Sequence, residues 1–133
     1  MKRFLLYCSI GLFFIGCNSS APNQPSSFVY KVKPKQAIQI SSSISIDVKG
    51  VCDSRCPEGC ECIWAGEAKV FFAIKDANSV IDTNLILPSR QKMTYKNFSI
   101  ELKSVDPYPI CNYEFPSELT VRFQVDDKNK GTL

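Results

Sequence analysis

The segment AKVFFAIKDANSVIDTNLIL, residues 68–87, carries the pattern that decides the fold. In its first half apolar side chains recur at every second position, and the polar residues around Asn78 then supply a turn. Its second half, from Val80 to Leu87, reads as a returning strand, which stops at Pro88. Because a period of two is typical of a strand with one face on a core, the segment predicts two consecutive β-strands.

The same alternation recurs along much of the remaining chain. It covers residues 28–33, 38–41, 44–49, 98–103 and 119–125. No segment places apolar residues three and four positions apart over about eleven residues, as a helix would. We therefore expect an all-β domain of about seven short antiparallel strands. The pattern is compatible with a β-sandwich and with a small barrel, and it does not choose between them.

Composition indicates one globular domain. The chain has 133 residues, of which 44% are apolar and 22% are charged, which is close to the averages for folded proteins. This length supports one core but not two ordinary ones. Histidine is absent, which excludes catalytic and metal sites that depend on imidazole. We predict no catalytic site, no metal site and no cofactor.

The N-terminus resembles the export signal of a bacterial lipoprotein. Basic residues 2–3 precede an apolar run over residues 4–15, which is too short for a permanent membrane-spanning helix. Phe-Ile-Gly-Cys at residues 14–17 is similar to a lipobox, which implies cleavage before Cys17 and acylation of its thiol. We therefore expect residues 1–16 to be a lipoprotein signal peptide. The alternative is an ordinary secretory signal with an incidental cysteine.

The residues after Cys17 predict how the domain is held. Residues 17–27 are the lipidated cysteine and a flexible tether of small polar residues and prolines. Asn18 follows the cysteine, and its resemblance to bacterial sorting signals implies the outer membrane, facing the periplasm. The membrane is thus an expected partner through the lipid. Residues 28–127 form the predicted β-domain, and residues 128–133 are predicted to fray.

Charge excludes one class of partner. The formal charge is +3, from 16 basic and 13 acidic residues. Loss of Lys2 and Arg3 with the signal peptide leaves 14 basic residues and a charge of +1. Proteins that bind nucleic acid normally carry a clustered basic field, so we expect no nucleic-acid partner.

Five cysteines remain in the predicted β-domain, and they are expected to pair. They are Cys52, Cys56, Cys60, Cys62 and Cys111. Cysteines of small exported domains usually form disulfides in an oxidising compartment. The alternative, a thiolate metal site, has a spacing that matches no zinc or iron–sulfur pattern.

One disulfide is suggested by local turn chemistry. Pro57 and Gly59 occupy the second and fourth positions of a type I turn that begins at Cys56. Such a turn would bring Cys62 back toward Cys56. The second bridge stays open among the other three cysteines, Cys52, Cys60 and Cys111.

The same stretch resembles a known group of proteins. Asp-Ser-Arg-Cys-Pro at residues 53–57 and Cys-Ile-Trp-Ala-Gly-Glu-Ala at residues 62–68 resemble the signature of a widespread group of uncharacterised bacterial lipoproteins and secreted domains. Asp-Pro-Tyr-Pro at residues 106–109 is similar to its second motif. The resemblance covers about residues 44–125. It implies that Cys56 and Cys62 pair, and it implies no activity.

Five residues form a candidate binding rim. They are Asp53, Arg55, Glu58, Trp64 and Tyr108. Arg55 could bind an external carboxylate, but an internal pair is favoured, with Asp53, Glu58, Glu61 or Glu67 as its partner. For Trp64 the sequence favours a core plug beneath the disulfide over an outward contact residue. Tyr108, between two prolines, is either a rigid contact residue or a lid on the edge of the core.

These features favour a lipid-anchored, non-enzymatic binding or interaction module of the cell envelope. Its expected partner is an unidentified envelope protein or a glycan. One alternative is an envelope hydrolase that uses two carboxylates, drawn from Asp53, Glu58, Glu61 and Asp106. Another is a redox or metal-handling protein that uses the cysteines.

Overall fold

A computed structural model describes residues 27–112 and 118–131. Cys17, the signal peptide and residues 18–26 of the predicted tether lie outside this part of the chain. The described residues form eight strands and one short 3-10 helix at Lys128–Gly131. The strands are β1 (Ser27–Val32), β2 (Ala37–Gln39), β3 (Ser45–Asp53), β4 (Ala68–Asp76), β5 (Ser79–Leu87), β6 (Lys92–Tyr95), β7 (Phe98–Asp106) and β8 (Thr120–Asp127).

The strands form two four-stranded sheets, in the orders β1-β8-β7-β6 and β2-β3-β4-β5. Every ladder between neighbouring strands is antiparallel. The predicted all-β fold is therefore confirmed. Of the two predicted closures, the structure adopts the β-sandwich, because the strands divide between two sheets that share one core.

The core lies between the sheets and is built by the alternation seen in the sequence. Phe72 of β4 and Phe123 of β8 meet across it edge to face, with ring centroids 5.4 Å apart. Each is almost completely buried, as are the alternate aliphatic residues of their strands. Two register shifts, between Val48 and Gly50 and between Leu102 and Ser104, bend β3 and β7.

The structure adds elements that the alternation did not predict. β6 has only four residues, and the sequence analysis missed it. β3 continues to Asp53, at the first cysteines of the cluster. Lys128–Gly131 folds into the 3-10 helix where fraying was expected, and the Lys128 amide donates to Asn97 O at 2.9 Å. In the part of the chain that the structure describes, no helix is long and apolar enough to cross a membrane.

Candidate functional site

The loop between β3 and β4 lies at one end of the sandwich and continues their ladder. Ser54 N donates to Glu67 O, and Cys56 N donates to Ala65 O, each at 2.8 Å. Gly66 has a φ of +71°, and a Cβ at this position would lie 1.9 Å from Ser54 O. Glycine is therefore required for the two arms of the loop to approach.

Two disulfides cross-link this end of the molecule. Cys56 bonds to Cys62 within the loop, with their Cα atoms 5.9 Å apart, and the predicted pair is confirmed. Cys60 bonds to Cys111, which follows β7, with their Cα atoms 5.3 Å apart. This chooses the second bridge that the sequence left open. Cys52 keeps a free thiol at an exposed position.

The turn between the cysteines differs from the predicted one. Its hydrogen bond runs from Cys60 N to Pro57 O at 3.1 Å, so the turn spans residues 57–60 and not 56–59. Gly59 is then at the third position with a φ of +86°. A positive φ at that position is the requirement of a type II turn, so the predicted type I turn was wrong.

Backbone hydrogen bonds join the loop to the segment after β7. Glu58 N donates to Pro109 O and Cys111 N donates to Glu58 O, each at 2.9 Å. Pro109 is buried at this junction. We call residues 52–67 together with residues 107–111 the stapled end, because one disulfide and this pair of hydrogen bonds hold the two segments together.

Arg55 is held from three sides within the stapled end. Its Nε and Nη2 donate to the two carboxylate oxygens of Asp53, at 2.8 and 2.5 Å. Its guanidinium carbon lies 4.4 Å from the ring centroid of Tyr108, in cation–π contact. Nη2 also reaches Pro107 O at 3.4 Å. The predicted internal ion pair of Arg55 is confirmed. The ring of Tyr108 packs against its guanidinium.

A cavity of about 280 Å³ opens beside this cluster. Arg55 and Tyr108 contribute part of its lining, and Gly66 and Gln91 contribute more. The remaining lining residues are Ala65, Leu87 and Pro88. The residues around the cavity are mostly apolar, with one amide, one guanidinium and one phenol, a composition suited to a small group with few polar atoms.

Trp64 lies on the surface, and its predicted role as a core plug was wrong. Its side chain is 69% exposed, and Ile63 beside it is fully exposed. Tyr108 and Ile110 of the facing segment are each about half exposed. The paired backbone of this loop ends at the Cys56–Ala65 hydrogen bond, and Ile63 and Trp64 lie beyond it.

The structure thus divides the predicted rim into two groups. Asp53, Arg55 and Tyr108 form one connected cluster, whereas Glu58 and Trp64 are exposed elsewhere on the stapled end. Sequence analysis missed two exposed isoleucines, Ile63 and Ile110, and the cavity wall from the loop after β5. The sequence feature that could have indicated the two isoleucines is an apolar residue in a segment without strand periodicity.

Two of the four carboxylates considered as hydrolase residues, Asp53 and Asp106, make contacts with other side chains of the protein. Asp53 carries the bidentate contact to Arg55, and its side chain is 5% exposed. Asp106 accepts from Ser104 Oγ at 2.7 Å and forms an ion pair with Arg122, whose Nε lies 3.2 Å from its carboxylate. Each of these carboxylates therefore balances a nearby cation rather than standing free in a cleft.

Comparison of the chain with protein-family models, with curated proteins and with solved structures found no match.

Proposed function

We propose that this protein is a non-enzymatic binding module of the bacterial cell envelope that contacts a partner protein through its stapled end. The observation that carries the proposal is the exposure of Trp64 and Ile63 on a loop fixed by two disulfides. When a partner covers large apolar residues, their unfavourable exposure to water is removed. On a loop that is already rigid, this burial costs little conformational entropy. Tryptophan and tyrosine are also the residues most enriched among binding hot spots.

A protein partner suits this surface better than a glycan. Ile63 and Ile110 are aliphatic and offer no hydrogen bond to a sugar hydroxyl. Arg55 and Asp53, the charged pair nearest the exposed Tyr108, already bind each other. The surface therefore offers mainly apolar contact with a polar rim at Glu58, which is the usual composition of a protein interface.

The lipid anchor belongs to the same proposal. An acylated Cys17 would hold the domain at the outer membrane on the periplasmic side, since two or more acyl chains bind a bilayer almost permanently. Replacing residues 1–17 with a cleavable secretory signal that leaves no N-terminal cysteine should move the protein from the membrane fraction to the soluble periplasmic fraction. Recovery of the variant with the membranes would contradict the lipid anchor.

Site-specific photo-crosslinking in intact cells tests the binding surface. A photoreactive residue replaces Ile63, and the control replaces Val80, which is 63% exposed at the opposite end of β4 and β5. We expect a protein adduct of discrete mass from position 63 and none from position 80. Trp64→Ala should reduce the adduct. Equal adducts from both positions, or none from either, would contradict the proposal, and an adduct removed by muramidase would indicate a glycan.

Trp64→Ala must leave the fold intact for this test to be informative. Because the side chain is exposed, we expect its removal to change the free energy of unfolding by less than about 1 kcal/mol. Phe72→Ala, in the core, should cost about 3 to 5 kcal/mol. Trp64 is the only tryptophan, so ready quenching of the native emission by iodide reports its exposure directly.

A further inference from the structure

A second cavity, of about 630 Å³, lies on the outer face of the β1-β8-β7-β6 sheet. It is at the end of the sheet where β7 begins, and β7 runs from there to the stapled end. Its lining includes residues with two ammonium groups, two hydroxyls and one carboxylate, together with a methionine whose side chain packs against the core. These residues are Lys92, Lys128, Thr94, Ser99, Asp126 and Met93.

Ser99 is the unusual member of this set. It is in the outward phase of β7, because Ile100 and Leu102 face the core, yet only 4% of it is exposed. Within the described chain its Oγ is buried and has no hydrogen-bond partner. Buried hydroxyls nearly always have a partner, because an unpaired one has lost its water without compensation. Ser99 belongs to the lining of the cavity, so a ligand atom that reached its Oγ would supply that partner.

The other donors are positioned around Ser99 by the sheet. Thr94 of β6 and Asp126 of β8 are its direct neighbours across the two ladders. The 3-10 helix is held against the β6–β7 turn by the hydrogen bond from Lys128 N to Asn97 O. Lys128 Nζ then reaches Thr94 Oγ1 at 3.4 Å, above Ser99. Lys92 extends from the same face of β6.

Asp126 gives the cavity an acceptor among these donors. Its carboxylate accepts from Gln124 Nε2 at 3.2 and 3.4 Å. A hydrogen bond with Ser27, and the positive charges of Lys92 and Lys103, hold the pKa of Asp126 below its usual value. The lining therefore carries two positive charges and one negative charge, a net charge of +1.

We propose that this cavity binds a monohydrogen phosphate group, with Lys92, Lys128, Thr94 and Ser99 as donors and Asp126 as acceptor of its P–OH proton. A phosphate group presents several strong acceptor oxygens, which match a lining with four donors better than the two oxygens of a carboxylate do. Its remaining P–OH can donate a hydrogen bond to the Asp126 carboxylate, which would otherwise repel the anion. This site is separate from the stapled end and independent of the binding function proposed for it.

Calorimetric titration of the mature protein in detergent micelles at low ionic strength tests the proposal. The probes are inorganic phosphate and glycerol 3-phosphate at about pH 6, where the ester is about half protonated and so carries a P–OH, with sulfate as the control anion that has the same shape but no proton. We expect saturable binding of a phosphate probe and at least about tenfold weaker binding of sulfate. Tighter binding of glycerol 3-phosphate would assign the site to a phosphate ester, and tighter binding of phosphate to the free ion.

Variants connect the binding to the cavity. Ser99→Ala and Lys128→Gln should each weaken phosphate binding by about tenfold or more. Lys31→Gln removes the same charge from β1, outside the cavity lining, and should change it by less than about twofold. Ser99→Ala should also unfold at the same or a higher urea concentration, since its hydroxyl has no internal partner to lose.

The opposite results would overturn the proposal. These are the absence of saturable binding, sulfate binding as tight as phosphate, or phosphate binding that survives in both cavity variants. A large loss of stability in Ser99→Ala would also overturn it, because it would mean that the hydroxyl is already satisfied inside the protein.

Discussion

Arg55 and Asp53 form a two-point ion pair, with Arg55 Nε and Nη2 at 2.8 and 2.5 Å from the two Asp53 oxygens. The two side chains are only 10% and 5% exposed. Parallel hydrogen bonds from a guanidinium fix both partners in direction as well as in distance. The pair therefore orients Arg55 under Tyr108 and links the end of β3 to the loop that carries Trp64.

Loss of this pair should destabilise the protein. Asp53→Asn removes the charge and one of the two strong acceptors while Arg55 stays largely buried, so we expect the free energy of unfolding to fall by about 2 to 3 kcal/mol. Urea denaturation measures it. The control is Glu67→Gln, in the more exposed pair with Lys69 at 3.3 Å, which should cost less than about 1 kcal/mol. Equal losses in the two variants would contradict a special role for Asp53.

Gly66 should tolerate no side chain. Gly66→Ala places a Cβ 1.9 Å from Ser54 O and imposes a left-handed backbone on alanine, so we expect a loss of about 3 kcal/mol or more. Gly50→Ala is the matched control, because a Cβ there has no atom within 4 Å. It should change stability by less than about 1 kcal/mol. Thermal unfolding of both variants tests the prediction. It is wrong if Gly66→Ala unfolds at the same midpoint temperature as the wild type.

The two disulfides should differ in what they contribute to stability. Cys60–Cys111 closes a separation of 51 residues and Cys56–Cys62 one of 6. In the chain-entropy treatment these loops correspond to about 4 and about 2 kcal/mol. The double variant Cys60→Ser with Cys111→Ser should therefore unfold at lower urea than Cys56→Ser with Cys62→Ser. The reverse order would show that native contacts, and not loop length, set the difference.

Stability should fall in acid partly through Asp76. Its carboxylate accepts from the Lys96 ammonium, and this ion pair, with a hydrogen bond from Ala77 N, holds the pKa of Asp76 below its ordinary value of 3.8. A lowered pKa in the folded state gives stability that is complete above the unfolded pKa and is lost as the pH falls through the folded one. Free energies of unfolding measured at pH values below about 5 should therefore decline.

Variants of the ion pair identify this contribution. Asp76→Asn and Lys96→Met should each make the acid decline shallower, since either change removes the difference in Asp76 between the folded and unfolded states. Asp76→Asn removes the titrating group, whereas Lys96→Met removes the cation that lowers its pKa. If the free energy of unfolding declines with falling pH as steeply in both variants as in the wild type, the contribution assigned to Asp76 is refuted.

Much of the fold was predictable because its signal is local. In the strand around Phe72, buried apolar residues recur at every second position from Ala68 to Ile74, although Ala73 is buried as well, and a period of two is visible in a window of that length. β6 was missed because its four residues, with Met93 and Tyr95 on the inner face, make too short a pattern. The Cys56–Cys62 bridge was also predictable, since its two cysteines are six residues apart.

The candidate sites depended on contacts between distant segments. Pro57 and Gly59 indicated a turn, but it begins one residue later than predicted, and its last residue, Cys60, bonds to Cys111. Trp64 was assigned to the core because large apolar residues usually go there. Its exposure follows from the path of the loop, which the disulfides fix and which no sequence pattern describes.

By itself the sequence determined the class of fold, the position of most strands and the local disulfide, because alternation and short loop closure act between near neighbours. Only the tertiary structure decided the sandwich over the barrel, the partner of Cys60, the cover of Tyr108 over Arg55 and the burial of Ser99. Each of these depends on how separate strands pack in space, and the energy of such packing is shared among residues that are far apart in the chain.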